Sequence, residues 1–260
     1  MQSDPRGIPG AAAPLPMGKL PQVTLAFWIM KICATTLGET AGDLLSMTLN
    51  VGYGLSSIIL ISLFAVSLTA QLASNRFHPL LYWTVILTTS TAGTTMSDYM
   101  DRTLDLGYAA GSGILVAILC AVLAVWRISG EPMSMADIRT RRTEVLYWTA
   151  ILFSNTLGTA LGDFLADDSG LGFAGGALLI SGLLAAVVAA HYLTRASAVL
   201  LFWIAFVLTR PFGAMLGDLL TKPQAAGGLD FGTVGSSAIL LAALVVLIVA
   251  TGRGRPASAA

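Results

Sequence analysis

Fixed charge is what this chain of 260 residues has least of: 14 Lys and Arg against 14 Asp and Glu, 11% of the total. An ordinary soluble domain carries about 25%. With 55% hydrophobic residues, there is too little polar surface to cover a soluble globule, and the bilayer is the solvent the composition fits. A formal net charge of zero, with arginines confined to short connectors, excludes a nucleic-acid partner. Cysteine is nearly absent. Cys33 and Cys120 lie in apolar runs with no Cys-x-x-Cys spacing, which excludes a disulfide framework or thiolate metal site and leaves two buried, reduced thiols. The two histidines, His78 and His191, fall at expected helix ends, and no Ser/His or Cys/His constellation for nucleophilic catalysis is present.

What the chain does have is long apolar runs. Eight segments of roughly 20 residues, near 24–47, 52–73, 80–101, 107–127, 143–165, 170–192, 198–220 and 232–251, match the length that spans a hydrocarbon core of about 30 Å as helix. Helix is the expected form, because a backbone in lipid must satisfy its hydrogen bonds within the segment. The expected fold class is all-α: a polytopic membrane protein with eight transmembrane helices, arranged as four tandem helical hairpins in a pseudo-fourfold repeat. Residues 1–22, rich in Pro, Gly and Ala, read as a disordered cytoplasmic tail. Residues 23–251 form a single membrane domain with repeats at about 24–73, 80–127, 143–192 and 198–251, and 252–260 form a second cytoplasmic tail.

Tryptophan sets the repeat. Trp28, Trp83, Trp148 and Trp203 are each followed fifteen residues later by Asp43, Asp98, Asp163 and Asp218. Ten residues after each Trp stand Gly38, Gly93, Gly158 and Gly213, and fourteen after stand Gly42, Ser97, Gly162 and Gly217. Small residues four apart let helix backbones approach closely in lipid, so the odd-numbered helices are expected to meet at a central bundle. Gly52-Tyr53, Gly107-Tyr108 and Gly172-Phe173 then open the second helix of three copies; in the fourth, Lys222-Pro223 and extra residues displace Phe231. The connector from Arg127 to Thr143 reads as a hinge between two halves.

Lys and Arg distribution sets orientation. Arg6, Lys19, Arg76, Arg127, Arg139, Arg141, Arg142, Arg195, Arg253 and Arg255 fall on one side, against Arg102 and Lys222 on the other, where Asp101, Asp105, Asp167, Asp168 and Asp230 also lie. Both termini are therefore expected in the cytoplasm.

The intramembrane charges point to function. A charge near the bilayer centre costs about 2.5–3.5 kcal/mol even on the permissive insertion scale, so a stable fold pairs, hydrates or uses it. The expected spans contain five acids, Glu39, Asp43, Asp98, Asp163 and Asp218, and two bases, Lys31 and Arg210, which leaves three negative charges uncompensated. Protonation and bound cations would supply the balance, and together they describe cation/proton exchange. With each Trp at the cytoplasmic interface, its Asp lies roughly 22 Å beyond, past the midplane. Helix-end aspartates, hydrogen-bonded and partly hydrated, are the plainer reading. Glu39 sits one turn deeper and is replaced by Thr94, Thr159 and Ala214 in the other copies, so packing does not require an acid there. Thr35, Ser90, Asn155 and Arg210 diverge at a second offset, and Lys31, Ile86, Ile151 and Phe206 at a third. Lys31 and Arg210 are either internal partners of the acids or tethered cations that exchange with cargo.

The repeat of two helices with one characteristic tryptophan resembles that of a bacterial membrane-protein family whose repeat is catalogued as a domain of unknown function. The resemblance implies an integral inner-membrane protein of eight helices and transfers no catalytic residues. The expected function is a secondary transporter of cations, such as manganese efflux by proton exchange. Glu39, Asp43, Asp98, Asp163 and Asp218 are its expected cation and proton sites, and Glu39 and Asp43 its expected metal ligands. Lys31, Thr35, Thr94, Asn155, Thr159 and Arg210 are the supporting polar groups. Carboxylate and hydroxyl oxygens suit hard cations. The expected partners are the cation, protons and lipid, with no resident cofactor, and the lipid-facing helices allow a homo-oligomer. The competing classes are a cation channel, a non-transporting scaffold and an intramembrane aspartyl protease. The last is weakened because Ala160 and Met215 replace the first Gly of the Gly-x-Gly-Asp signature.

Overall fold

In a computed structural model that describes residues 20–138 and 140–253, eight long helices account for nearly all regular structure, and no strand occurs among the described residues. They are α1 (Leu25–Asp43), α2 (Tyr53–Ala73), α3 (Pro79–Asp98), α4 (Tyr108–Ile128), α5 (Arg141–Asp163), α6 (Gly172–Leu193), α7 (Ala198–Thr221) and α8 (Thr233–Arg253). Most of the expected N-terminal tail and C-terminal tail lies outside the described residues. Local chemistry fixes the starts. Thr24 Oγ1 accepts from Phe27 N at 3.3 Å, Thr140 Oγ1 accepts from Thr143 N at 3.0 Å, and Pro79 occupies the first turn of α3, where a missing N–H costs nothing. Gly52 and Gly107, at φ of 79° and 71°, turn the chain into α2 and α4 through a conformation that disfavours a side chain.

Five helices, α2, α4, α6, α7 and α8, are long and apolar enough to cross a membrane. The other three are less apolar because they carry most of the polar stripe, which α7 shares through Arg210 and Asp218, and burial explains it: α1, α3, α5 and α7 pack in a closed ring, α1 on α3, α3 on α5, α5 on α7 and α7 on α1. The even helices stand outside this ring and expose large apolar side chains such as Ile58, Val66, Leu178 and Ile239.

The expected hairpin packing is not what forms. The second helix of each copy lies against the first helix of the next copy, α2 on α3, α4 on α5 and α6 on α7, and α8 closes the circle on α1. Each unit therefore shares its core with its neighbour, as repeats that cannot bury a face alone must do.

Glycine makes the ring tight. A Cβ at Gly38 would strike Ser90, at Gly93 Asn155, at Gly158 Arg210 and at Gly213 Thr35. These four partners are the four residues of one sequence offset, so each copy's divergent side chain docks on the preceding copy's glycine, with copy one following copy four around the ring. One turn on, Gly42 faces Thr94, Gly162 faces Ala214 and Gly217 faces Glu39.

The tryptophans pack against the bundle instead of projecting outward, Trp28 half-buried and the other three buried. Trp83, Trp148 and Trp203 are buried, and each is preceded by an aromatic residue. Phe27, Trp28, Phe202, Trp203, Tyr147, Trp148, Tyr82 and Trp83 form a closed circle of ring contacts with centroids 5.1–6.2 Å apart. Across it, the Tyr82 and Tyr147 hydroxyls share a hydrogen bond of 2.8 Å. The connector expected as a hinge is packed against this end: Met135 and Ile138 are buried, and Trp203 Nε1 donates to Met133 O at 3.2 Å.

Candidate functional site

Four residues of helix rise about 6 Å, so the polar stripe stacks into levels along the bundle axis beyond the aromatic circle. At the first, Lys31 is fully buried. Its ammonium lies 4.1 Å from the Phe206 ring centroid and 3.5 Å from Asn155 Oδ1, and it forms no ion pair with any described carboxylate.

The second level ties all four odd helices together. Arg210 of α7, also fully buried, donates from Nη1 to Glu39 Oε2 of α1 at 2.9 Å. Its Nη2 donates to Thr94 Oγ1 of α3 and to Thr159 Oγ1 of α5, both at 2.6 Å. The two threonine hydroxyls pass their own protons to Glu39 Oε2 at 3.2 Å each. A carboxylate that accepts one guanidinium N–H and two hydroxyls is a charge-assisted network, the strong kind of hydrogen bonding. Thr35 stands apart from it: its hydroxyl donates to Ile32 O and Thr209 O, so it serves the α1–α7 contact.

The third level holds the four shared aspartates, each 2–4% exposed. They are joined in pairs by two cations the sequence had assigned to connectors. Arg102 reaches Asp98 at 3.1 Å and Asp163 at 3.3 Å; Lys222 reaches Asp43 at 2.7 Å and Asp218 at 3.1 Å. The fourfold repeat thus becomes twofold in charge, because copies two and four carry a base four residues beyond the Asp where copies one and three have Met47 and Asp167. Continuing the spacing-of-four stripe one step past each Asp would have found both.

The halves differ. Arg102 is stacked near Tyr53 and Tyr108, at 6.0 and 5.6 Å from their centroids, and donates to the Tyr53 hydroxyl at 3.3 Å. Among the described residues, the Lys222 ammonium has Met47 Sδ, at 4.0 Å, as its polar neighbour besides its two carboxylates. Burial works against the Lys222 charge, but Asp218 and Asp43 outweigh it and hold its pKa above the ordinary lysine range. Backbone geometry differs as well. Wide π-type turns follow Asp43, Asp98 and Asp163, at Leu44–Thr48, Tyr99–Thr103 and Phe164–Asp168, whereas α7 runs on to Thr221 and stops at Lys222-Pro223.

Inward folding of Arg102 and Lys222 corrects the charge balance. Among the stripe residues, five acids now face four bases, so the deficit is one charge where the spans alone gave three; buried Asp101, which accepts from Ser97 Oγ at 3.2 Å, adds a further acid at the aspartate end. The stripe is also polarised: Lys31 and Arg210 exceed Glu39 by one on the aromatic side, and the four aspartates exceed Arg102 and Lys222 by two at the other end. Of the expected ligands, Glu39, Asp43 and Asp218 come together, with one carboxylate oxygen of each within 4.8 Å of the others. Asp98 and Asp163 belong to the Arg102 pair.

A family model described as a Repeat of Unknown Function (DUF347) matches the chain four times, at residues 26–77, 81–131, 146–197 and 201–253. No curated protein and no solved structure matches it. Four tandem matches in register with the four tryptophans place this chain in the family built from that repeat.

Proposed function

We propose that the protein is a secondary transporter that exchanges a metal cation for protons across the bacterial inner membrane, with all eight helices spanning the bilayer around a pseudo-fourfold axis and both termini in the cytoplasm. One observation carries the reading: Glu39, Asp43 and Asp218 present three carboxylate oxygens within 4.8 Å of one another, at a place already held by a flexible ammonium, Lys222. Oxygen donors in such a cluster suit Mg²⁺, Ca²⁺ or Mn²⁺. Met47 Sδ beside Lys222 Nζ adds a soft donor that tilts the site from Mg²⁺ or Ca²⁺ toward Mn²⁺ or another transition ion.

In this reading Lys222 is a tethered counter-ion that withdraws when cargo enters. Lysine suits the task, being a compact point charge on a flexible stem, whereas the planar guanidinium of Arg102, stacked on two tyrosines, suits the fixed pair. The charge pairs also suggest where the bundle parts. Arg102 fastens α3 to α5 and Lys222 fastens α7 to α1, so rocking would divide copies two and three from copies four and one.

A scaffold without transport is favoured by one fact: all four aspartates are paired. Protease chemistry is less favoured, since a dyad needs two carboxylates that share a water, and here each pair shares a base.

Flux into proteoliposomes decides among them. Mn²⁺ uptake accompanied by a pH change supports exchange, and uptake that follows voltage without proton movement supports a channel. Absence of both leaves the scaffold. Asp43→Asn should abolish exchange while Lys222 keeps Asp218 as partner and the fold survives; normal flux in this variant overturns the site.

A further inference from the structure

Lys31 is the one buried base of the stack whose charge no described carboxylate meets. Its three N–H donors face a single acceptor, Asn155 Oδ1, at 3.5 Å, beyond the usual range for N–H···O bonds. The Phe206 face at 4.1 Å attracts the cation, but a ring quadrupole offsets only part of the cost of stripping water from an ammonium. The Arg210 guanidinium, a like charge, repels it.

The donors around Lys31 are also unspent. Asn155 Nδ2 and Arg210 Nε are buried without a hydrogen-bond partner, and buried polar groups without partners call for an explanation such as a bound ion. Lys31, Asn155 and Arg210 are all private to their copies: the other copies place Ile86, Ile151 and Phe206 at the first offset, and Thr35 and Ser90 at the second. The ring architecture therefore does not require them. Lys31 with its one long contact, and Asn155 and Arg210 with an unpartnered N–H each, thus lie on adjacent levels of a closed four-helix ring.

We infer that Lys31, Asn155 Nδ2 and Arg210 Nε form a buried binding site for a small inorganic anion of halide size, between the aromatic circle and Glu39. A halide accepts from all three and neutralises the positive excess on that side. A pocket of about 430 Å³ lined by Phe27, Met30, Trp83 and Thr251 opens beside the aromatic circle, sharing its Phe27 and Trp83. The inference does not depend on cation transport.

Thermal unfolding of the full chain in detergent tests it, in sodium chloride or bromide against sodium gluconate at equal sodium concentration and with no divalent cation present. Binding to the folded state raises the melting temperature in proportion to the logarithm of ligand concentration above Kd. The expected result is a concentration-dependent rise with chloride and bromide, none with gluconate, and no halide effect in Lys31→Met. Asn155→Leu, which keeps Lys31, should shift the halide dependence to higher concentration and serves if Lys31→Met does not fold. Equal melting in chloride and gluconate for the unsubstituted protein overturns the site and leaves water around Lys31; so does a halide response that persists unchanged in Lys31→Met. Because sodium is constant and divalent cations are absent, failure here is separate from failure of the Mn²⁺ flux experiment.

Discussion

Replacing Glu39 with Gln removes the one described carboxylate that meets Arg210, in a network where both side chains are at most 3% exposed. Removing one partner of a buried ion pair costs about 3–5 kcal/mol, because the other charge stays behind without compensation. Gln retains an oxygen that can accept from Arg210 Nη1, so the lower end, about 3 kcal/mol, is expected. That is a large share of a stability of about 5–15 kcal/mol, yet the protein should remain folded in mild detergent. The pair is separable from its consequences by a double-mutant cycle with Arg210→Met. If the ion pair is real, the double variant is more stable than the two single costs predict, by at least about 1 kcal/mol. Reversible unfolding in mixed micelles, followed by the fluorescence of the five tryptophans, supplies the numbers. A cost below about 1 kcal/mol for Glu39→Gln, the range of exposed pairs, or strict additivity in the cycle refutes the placement of Arg210 against Glu39.

Glycine substitutions test the ring. Gly93→Ala would bring a Cβ within 2.9–3.0 Å of Thr156 N and Asn155 C in the facing backbone, so it should cost about 1–3 kcal/mol as overpacking. Gly113→Ala in α4, with nothing within 4 Å, should be neutral or stabilise by up to about 1 kcal/mol; equal effects in the same unfolding assay would argue against the α3–α5 contact. In the aromatic circle, Tyr82→Phe strands the buried Tyr147 hydroxyl and should cost about 1–3 kcal/mol, whereas Tyr82→Phe with Tyr147→Phe should recover most of it. A double variant as damaged as the sum of its parts would count against the 2.8 Å bond. At the candidate cation site, Lys222→Gln vacates the cluster of Glu39, Asp43 and Asp218, and Mn²⁺ should raise its melting temperature more than that of the unsubstituted protein. An unchanged response would sink the tethered counter-ion.

Sequence by itself determined the helical class, the fourfold frame and the membership of the polar stripe, because those follow from composition and from spacing along a single helix. Trp28 to Asp43, repeated three times, is a pattern that needs no neighbour to be legible, and the predicted segment 52–73 lies within one residue of Tyr53–Ala73 at its start. Glu39, Thr94, Thr159 and Arg210 were likewise visible as odd polar residues in apolar helices. Tertiary structure alone decided who meets whom. Circular closure of the ring places the last copy beside the first, which is why Asp218 joins Asp43 and Arg210 reaches Glu39 across 171 positions. Nothing in a linear repeat states that α2 packs on α3 in preference to α1, since both offer an apolar face of similar pitch. Nor could the spans alone reveal that Arg102 and Lys222 fold back over the aspartates, because a long basic side chain at a helix end can snorkel outward or turn inward. The carboxylates waiting one turn below, brought together from different copies by the ring, decide which way it turns.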